Sequence, residues 1–546
     1  MQLIDQHTKK IMEGCKERAA AAGLKFEKET LEYIVTNADL LELSPKIMIP
    51  SLYDYWLQDI QVLRGKGEYE YYPNNPYETV INTRPAISFY NDNNPDWLNV
   101  MIFYHVIAHI DFFQNNKFFE NTWEYDFKEK ALTEKRIIAK LRSQNGRSVD
   151  YVIEFARSID NLVGYFTSLS QINNNTILNL PDKIDFYFNI FLQEIKTVTM
   201  REFLAEVERY NNVLETAREE SENVFFKEVA VRNPEFEEYF ANHAKEKKIE
   251  KANDLLQFIL NKSSFINNAN NIWMKTVVEI VRETSLYFSP QIRTKIMNEG
   301  WASYWHEKLF MTDERIKGHE IAFARINAKV TALSKIGLNP YAIGWRLFMY
   351  IEEMAGKGRY SAEFDKLANI EERKLFDKSL GTGTDYIFYV RENYCDSTFI
   401  NRFLDQDFVN LHKLMVVGER IDLQRNVRKY YVKSRKIEDY KKMIVDTLYH
   451  PPYVKYEAKP DHTLYLNHIY EGKELYREYI MNTMIGIEYL WGSKVQLETT
   501  EIDWDEMKRK NEQKDLFTVD GEEKMESILR RVLYTSDKRK VSKQKL

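Results

Sequence analysis

Residues 94–113, NPDWLNVMIFYHVIAHIDFF, constrain the fold more than any other segment. Asn94 reads as a helix N-cap with Pro95 at the first helical position. Beyond it, large apolar residues occupy nearly every face of the helix. A helix that is apolar all round has to be enclosed on all sides, so other elements must wrap it. Two imidazoles interrupt it. His105 and His109 are four residues apart and therefore point the same way, about one turn from each other. In apolar surroundings each needs a polar partner. Two readings stay open. The pair is hydrogen-bonded to core neighbours, or it ligates one metal ion, as histidines at this spacing do in zinc helices. The zinc-peptidase motif has a general-base Glu directly after the first His; here that position is Val106.

A second segment, residues 289–306, offers the rest of a ligand set. Ser289 and Pro290 read as the cap and first turn of a helix. Glu299 and His306, seven residues apart, share a face with Ala302. Gly300 and Ala302 are small, so another element can come close to that face. His105, His109 and Glu299, with or without His306, then form a candidate site for zinc, iron or manganese, and water on such an ion would be activated for hydrolysis. His319 opens an apolar helical run at 321–333 and is a further candidate ligand or partner. Glu320 beside it and Glu283 are the candidates for the missing base, although Glu279 and Glu283 also suit a salt-bridged pair with Lys275 or Arg282. Asp111 lies about 200° round the helix from His109 and so is not a third ligand. No phosphate-binding Gly-rich loop, no Gly-x-Ser-x-Gly elbow and no CxxC pair is present; Cys15 and Cys395 are the two cysteines.

Composition supports long regular elements around large cores. The 546 residues include 35 Tyr, 31 Phe and 9 Trp but only 19 Gly and 13 Pro. A net charge of −6 argues against a general nucleic-acid binder. No run of about 18 apolar residues suggests a membrane span. The first residues lack an apolar export core, so a cytoplasmic location is expected. Nothing in the pattern sets an oligomeric state. The chain reads as mainly α, a large helical N-terminal region followed by a smaller α+β C-terminal domain. Four segments are expected: a helical 1–95, a helical 96–375 carrying the His/Glu site, an α+β 376–505, and a helical extension with a mobile basic tail at 506–546. Helical periodicity is read at 27–43 and 186–210, with Asn-rich breaks at 173–175 and 267–271 and proline breaks at Pro234 and Pro290. Strands are read at 386–390, 430–432, 463–470 and 494–499, with helices at about 436–449 and 471–490.

Several of these runs resemble the SpoVR (stage V sporulation protein R) family. The run from His105 to Asn116 is similar to its HVxxHxDFFxNN stretch. Residues 294–306, TKIMNEGWASYWH, resemble its most diagnostic run, and 339–344, NPYAIG, its NPYxxG element. Val390-Arg391-Glu392 followed by Asp396, Phe399 and Ile400 resembles its VRE…D..FI segment, and 464–475 with 490–492 resemble its C-terminal part. The resemblance implies a role in assembly of the spore cortex, a peptidoglycan layer, or of the cell envelope, since the family also occurs in bacteria that do not sporulate. It further implies a PrkA-type serine kinase and a protein with a von Willebrand A-like region as partners, from gene neighbourhood. It brings no catalytic residues with it. A partner-directed assembly factor and a zincin-like hydrolase of amide or peptide bonds therefore stand as the two expectations.

Overall fold

The computed structural model describes residues 2–36, 39, 78–122, 127–164, 182–217, 221–247, 252–334, 337–422, 427–448, 451–503 and 528–546. The chain folds as two compact units, one formed by Met1–Tyr165 with Leu255–Leu546, the other by Phe166–Asp254. The fold is mainly α, with a smaller α+β part toward the C-terminus. No helix among the described residues is long and apolar enough to cross a membrane.

The larger unit begins with a small sheet of order β1-β2-β4-β3, from β1 (Gln2–Leu3), β2 (Thr30–Val35), β3 (Glu78–Ile81) and β4 (Ala86–Asn91). Helix α1 (Gln6–Ala21) is capped by the Asp5 side chain. Helix α2 (Asp96–Asn115) is the enclosed helix expected from its sequence: every residue from Leu98 to Phe113 is buried. It starts one residue later than the sequence suggests, with Pro95 as N-cap and no side-chain cap. Next come α3 (Phe127–Asn145), α4 (Ser148–Arg157), α5 (Leu255–Lys262) and α6 (Ile272–Arg293). After them run α7 (Lys295–Phe310), α8 (Glu320–Val330), α9 (Pro340–Gly356), α10 (Gly383–Asn393) and α11 (Asp396–Phe403). Around α2, helices α1, α7 and α10 pack directly. One core joins Met12 and Cys15 of α1, Phe103 and Ile107 of α2, Trp301 and Trp305 of α7, Phe348 of α9 and Phe399 of α11.

A second core lies under the C-terminal sheet. The sheet has the order β11-β10-β9-β8-β7, from β7 (Tyr453–Ala458), β8 (Leu464–Ile469), β9 (Val495–Ile502), β10 (Leu529–Asp537) and β11 (Lys540–Lys545). β8 and β9 are parallel, which requires a crossover, and the helix Arg477–Trp491 supplies it. Its Met484, Ile487 and Leu490 join Leu466, Leu497 and Val532 of the sheet and Val152, Leu256 and Val277 of the helices in one cluster. A separate two-stranded ribbon pairs β5 (Val416–Asp422) with β6 (Val427–Ser434). In the smaller unit, a π-helix at Phe186–Ile195 is followed by helices at Met200–Ala217, Ser221–Arg232 and Phe236–Lys247, packed around Tyr187, Phe191, Phe225 and Phe236.

Several expectations are corrected. Of the helical reading at 27–43, residues 30–35 form strand β2 instead, because Thr-Leu-Glu-Tyr-Ile-Val is rich in β-branched and aromatic residues and finds a parallel partner in β4, and residues 37, 38 and 40–43 lie outside the described residues. The first 95 residues are therefore not purely helical. The strand at 386–390 is instead part of α10, which buries Ile387, Val390 and Arg391 at helical spacing. Pro290 does not start a helix but lies inside α6; the break falls at Thr294. The run 186–210 is interrupted where Thr197 takes a positive φ of 47°. The basic tail is not a mobile end: β10 and β11 form a hairpin that completes the sheet. Residues 504–527 and the Asn-rich break at 173–175 lie outside the described residues. The two compact units also differ from the four sequence segments, since the core around α2 draws on residues from Met12 to Ile444.

Helices α7 and α9 cross with their backbones in near contact. A Cβ on Gly344 would stand 2.1 Å from the Ile296 carbonyl oxygen and 2.7 Å from Gly300 Cα. Backbone cannot give way as a side chain can, so Gly344→Ala should lower stability by about 3 kcal/mol, the upper end of overpacking costs. A Cβ on Gly356, at the end of the same helix, meets nothing within 4 Å. Gly356→Ala should therefore raise stability by about 0.4–1 kcal/mol. Thermal and urea unfolding of the two variants should move in opposite directions.

Candidate metal centre

The crossing at Gly300 fixes what stands on either side of it. On α7, Glu299 immediately precedes Gly300; on α9, Tyr341 lies one turn before Gly344, in the turn that Asn339 caps through the Ala342 N–H. Glu299 faces α2. Its Oε2 lies 3.8 Å from His105 Nε2 and 3.5 Å from His109 Nε2. The three ligating atoms fall within 4.8 Å of one another. Ligand atoms on one tetrahedral ion stand about 3.4 Å apart, close to the two distances from Glu299 Oε2. The imidazoles are 6% and 7% exposed and the Glu299 side chain 18%, so the cluster is buried except beside the carboxylate.

Hydrogen bonds behind the rings decide which nitrogens face inward. His109 Nδ1 lies 2.8 Å from Asn298 Oδ1. An amide oxygen only accepts, so Nδ1 carries the proton and Nε2 presents a lone pair. Burial, then the neighbouring His105, lowers the His109 pKa to about 4, which keeps this ring neutral near pH 7. His105 Nδ1 lies 2.9 Å from His306 Nδ1, and His306 Nε2 lies 3.0 Å from Asn327 Oδ1. Burial lowers the His306 pKa to about 3. Burial raises the Glu299 carboxyl pKa, but His105 and His109, whenever either ring is protonated, and the Tyr341 hydroxyl more than offset it, and the net direction is down. The result is an ionised carboxylate opposite imidazole nitrogens, with no donor within hydrogen-bond distance of its Oε2. Tyr341 also lies nearly parallel to His105, with ring centroids 6.2 Å apart.

The supporting shell ties distant segments to this cluster. Asp111, on α2, accepts from the Lys25 N–H at 2.7 Å and from Trp301 Nε1 at 2.9 Å, and pairs with Arg391 Nε at 3.3 Å. Burial raises its pKa to about 6 against the pull of Arg391. Asn116 donates to the carbonyls of Arg391 and Tyr394. Asp396 accepts from the Ile296 and Met297 N–H groups and so caps α7 from another helix.

Of the residues singled out in the sequence, His105, His109 and Glu299 come together. His306 is beside them, but both of its ring nitrogens are engaged, so it backs His105 rather than facing the centre. His319 is not there: it is exposed and stacks on Trp97, with ring centroids 5.6 Å apart. Glu320 is exposed and accepts from the Gly318 N–H. Glu283 pairs with Lys130 of α3. Neither acid is at the centre. Asn298, Asn327 and Tyr341 were missed as site residues. Asn298 had a signal, since it shares a turn with Glu299; Asn327 and Tyr341 had none without the helix packing.

A family model described as "SpoVR like protein" matches residues 3–450. That span holds the cluster and all of its supporting residues; the runs at 464–475 and 490–492 lie beyond it. The chain is 22% identical over 390 residues, 68% of its length and 67% of the relative's, to "Uncharacterized protein YcgB" of Escherichia coli (strain K12). No solved structure matches it.

The buried Asp111–Arg391 pair should be asymmetric under mutation. Asp111→Ala leaves a buried guanidinium unpaired and should cost about 3–5 kcal/mol in urea unfolding. Adding Arg391→Met to that background should recover a large part of the loss, because no uncompensated charge then remains.

Proposed function

The chain belongs to the SpoVR family, and from that premise we propose that it is a metal-dependent protein supporting spore-cortex or cell-envelope peptidoglycan assembly. The ion is divalent zinc, iron or manganese, held by His105, His109 and Glu299. The observation that carries the metal reading is the convergence of inward-facing imidazole nitrogens on a buried carboxylate oxygen that has no donor. Acceptors facing one another repel unless positive charge lies between them, and two imidazoles with one carboxylate are a common ligand set for such ions.

The role in assembly rests on the family resemblance. It is a cytoplasmic role exercised through partners, a PrkA-type serine kinase and a von Willebrand A-like protein among them. Val106 favours it, because the base position of a zinc peptidase is apolar here. The second reading is metal-dependent hydrolysis of an amide or peptide bond. It is favoured by the three-ligand set, which leaves a coordination position for water, and by the partial exposure of Glu299.

Elemental analysis of untagged, full-length protein tests the metal. About one divalent ion per chain is expected, lost in the His105→Ala/His109→Ala double variant and reduced in Glu299→Gln. Because binding to the folded state adds stability, about 2.7 kcal/mol at a free-ion concentration a hundred times Kd, chelation should lower the wild-type Tm and leave that of the double variant unchanged. Wild-type protein without stoichiometric metal would refute the reading. Metal-dependent release of amines from peptidoglycan fragments would favour hydrolysis over the partner-directed role.

A further inference from the structure

We infer that His306, Asn327 and Glu307 are positioning residues that hold the lone pair of His105 Nε2 toward the centre of the His/His/Glu cluster. The inference rests on the metal reading above and concerns which protons the surrounding groups carry.

Glu307, the residue after His306, lies beside Asn327. Its carboxylate accepts from Asn327 Nδ2 at 3.1 Å. That bond orients the Asn327 amide, because a carboxylate needs a donor. The amide oxygen must then face the other way, toward His306 Nε2 at 3.0 Å. An oxygen there accepts, so His306 Nε2 carries the ring proton. His306 is 2% exposed, among Phe323 and other core side chains, and a charged ring in those surroundings would be costly. The neutral ring has one proton only, so its Nδ1 is an acceptor. It stands 2.9 Å from His105 Nδ1, which must therefore donate. With that proton on Nδ1, a neutral His105, the form that can bind a metal ion, presents a bare Nε2 to Glu299 and His109.

For a neutral His105 these contacts leave one tautomer, with the proton on Nδ1. Two features make the device local to His105. Glu307 and His306 are consecutive on α7, while Asn327 reaches in from α8 as one of that helix's two buried residues. His109 has its own holder in Asn298. The two imidazoles are thus oriented by independent partners, and disturbing one leaves the other in place.

The test uses the full chain with zinc and with cobalt(II) as probes. His306→Phe removes the acceptor and frees His105 to place its proton on Nε2. Zinc affinity, read by competition with a chromophoric chelator, should fall about 10–100-fold, the usual effect of losing a partner behind a metal-bound imidazole. The cobalt absorption bands should change, since one ligand is displaced. His306→Gln keeps one acceptor and one donor and should recover most of the affinity and the wild-type bands. Asn327→Leu should act in the same direction as His306→Phe but more weakly. Circular dichroism and Tm of the metal-free variants separate these effects from misfolding. Wild-type affinity and bands in His306→Phe would overturn the inference. So would a Gln variant that folds but is as weak as Phe. If the wild-type chain itself takes up neither ion, the metal reading fails first, and the inference falls with it.

Discussion

The organisation of the larger unit depends on the contact between Gly300 and Gly344. The two backbones approach until a Cβ on Gly300 would lie 2.4 Å from Gly344 Cα and from its carbonyl carbon. This distance is set by the absence of side chains and tolerates none. It locks the rotation of α7 against α9, and rotation decides where neighbours point. Glu299 is then aimed at α2, and the Tyr341 hydroxyl reaches the same carboxylate. A larger residue at either position would part the helices, and the carboxylate would leave the imidazoles even if every ligand were intact.

A helix as apolar as α2 can carry polar groups only where each finds a partner, since an orphaned buried polar atom costs about 1–3 kcal/mol. The partners come from far away in sequence. Asp111 meets Trp301 and Arg391, Asn116 meets the carbonyls at the end of α10, and Asp396 caps α7. These are the residues within the runs that resemble the family: the HxDFFxNN stretch, the NEGW run, and VRE with its following Asp. The runs are separate in sequence and form one polar frame in space. The frame sets the mutual position of α2, α7, α10 and α11 to hydrogen-bond tolerance, and a metal site needs its supports fixed to about 0.5 Å.

How far the sequence foretold this differs from element to element. α2 was legible because burial on all faces leaves one interpretation. His105, His109 and Glu299 were legible because two ligands share a helix face and the third sits beside a glycine, where a close approach is cheap. What depended on a distant partner was not legible. Residues 386–390 look like a strand until Gly383 and the buried Arg391 place them in a helix against α2 and α9. The tail, KVSKQK, has little apolar content of its own, and becomes a strand only because β10 pairs with it and Glu501 holds Lys543. Glu283 looked available until Lys130, from a helix about 150 residues earlier, took it. His319 and Glu320 open an apolar run, but they stand at its exposed end.

The two ends of His109 are held by consecutive residues of one helix. Asn298 takes its Nδ1 proton and Glu299 faces its Nε2. Any slide of α7 along α2 would therefore strain both contacts at once, and the ring cannot follow one without losing the other. His105 is held differently, since His306 answers it from α7 but takes its own orientation from Asn327 on α8. The imidazoles thus differ in what can disturb them: His109 responds to α7 alone, His105 also to α8. α8 buries only Phe323 and Asn327 and leaves Ile321 73% exposed, so it is the least anchored helix that touches the centre. A protein partner that shifted α8 would act on His105 first and leave His109 and Glu299 in place. In this arrangement the proposed partner-directed role and the proposed metal centre are compatible, because a sparsely buried helix also sets the orientation of one candidate ligand.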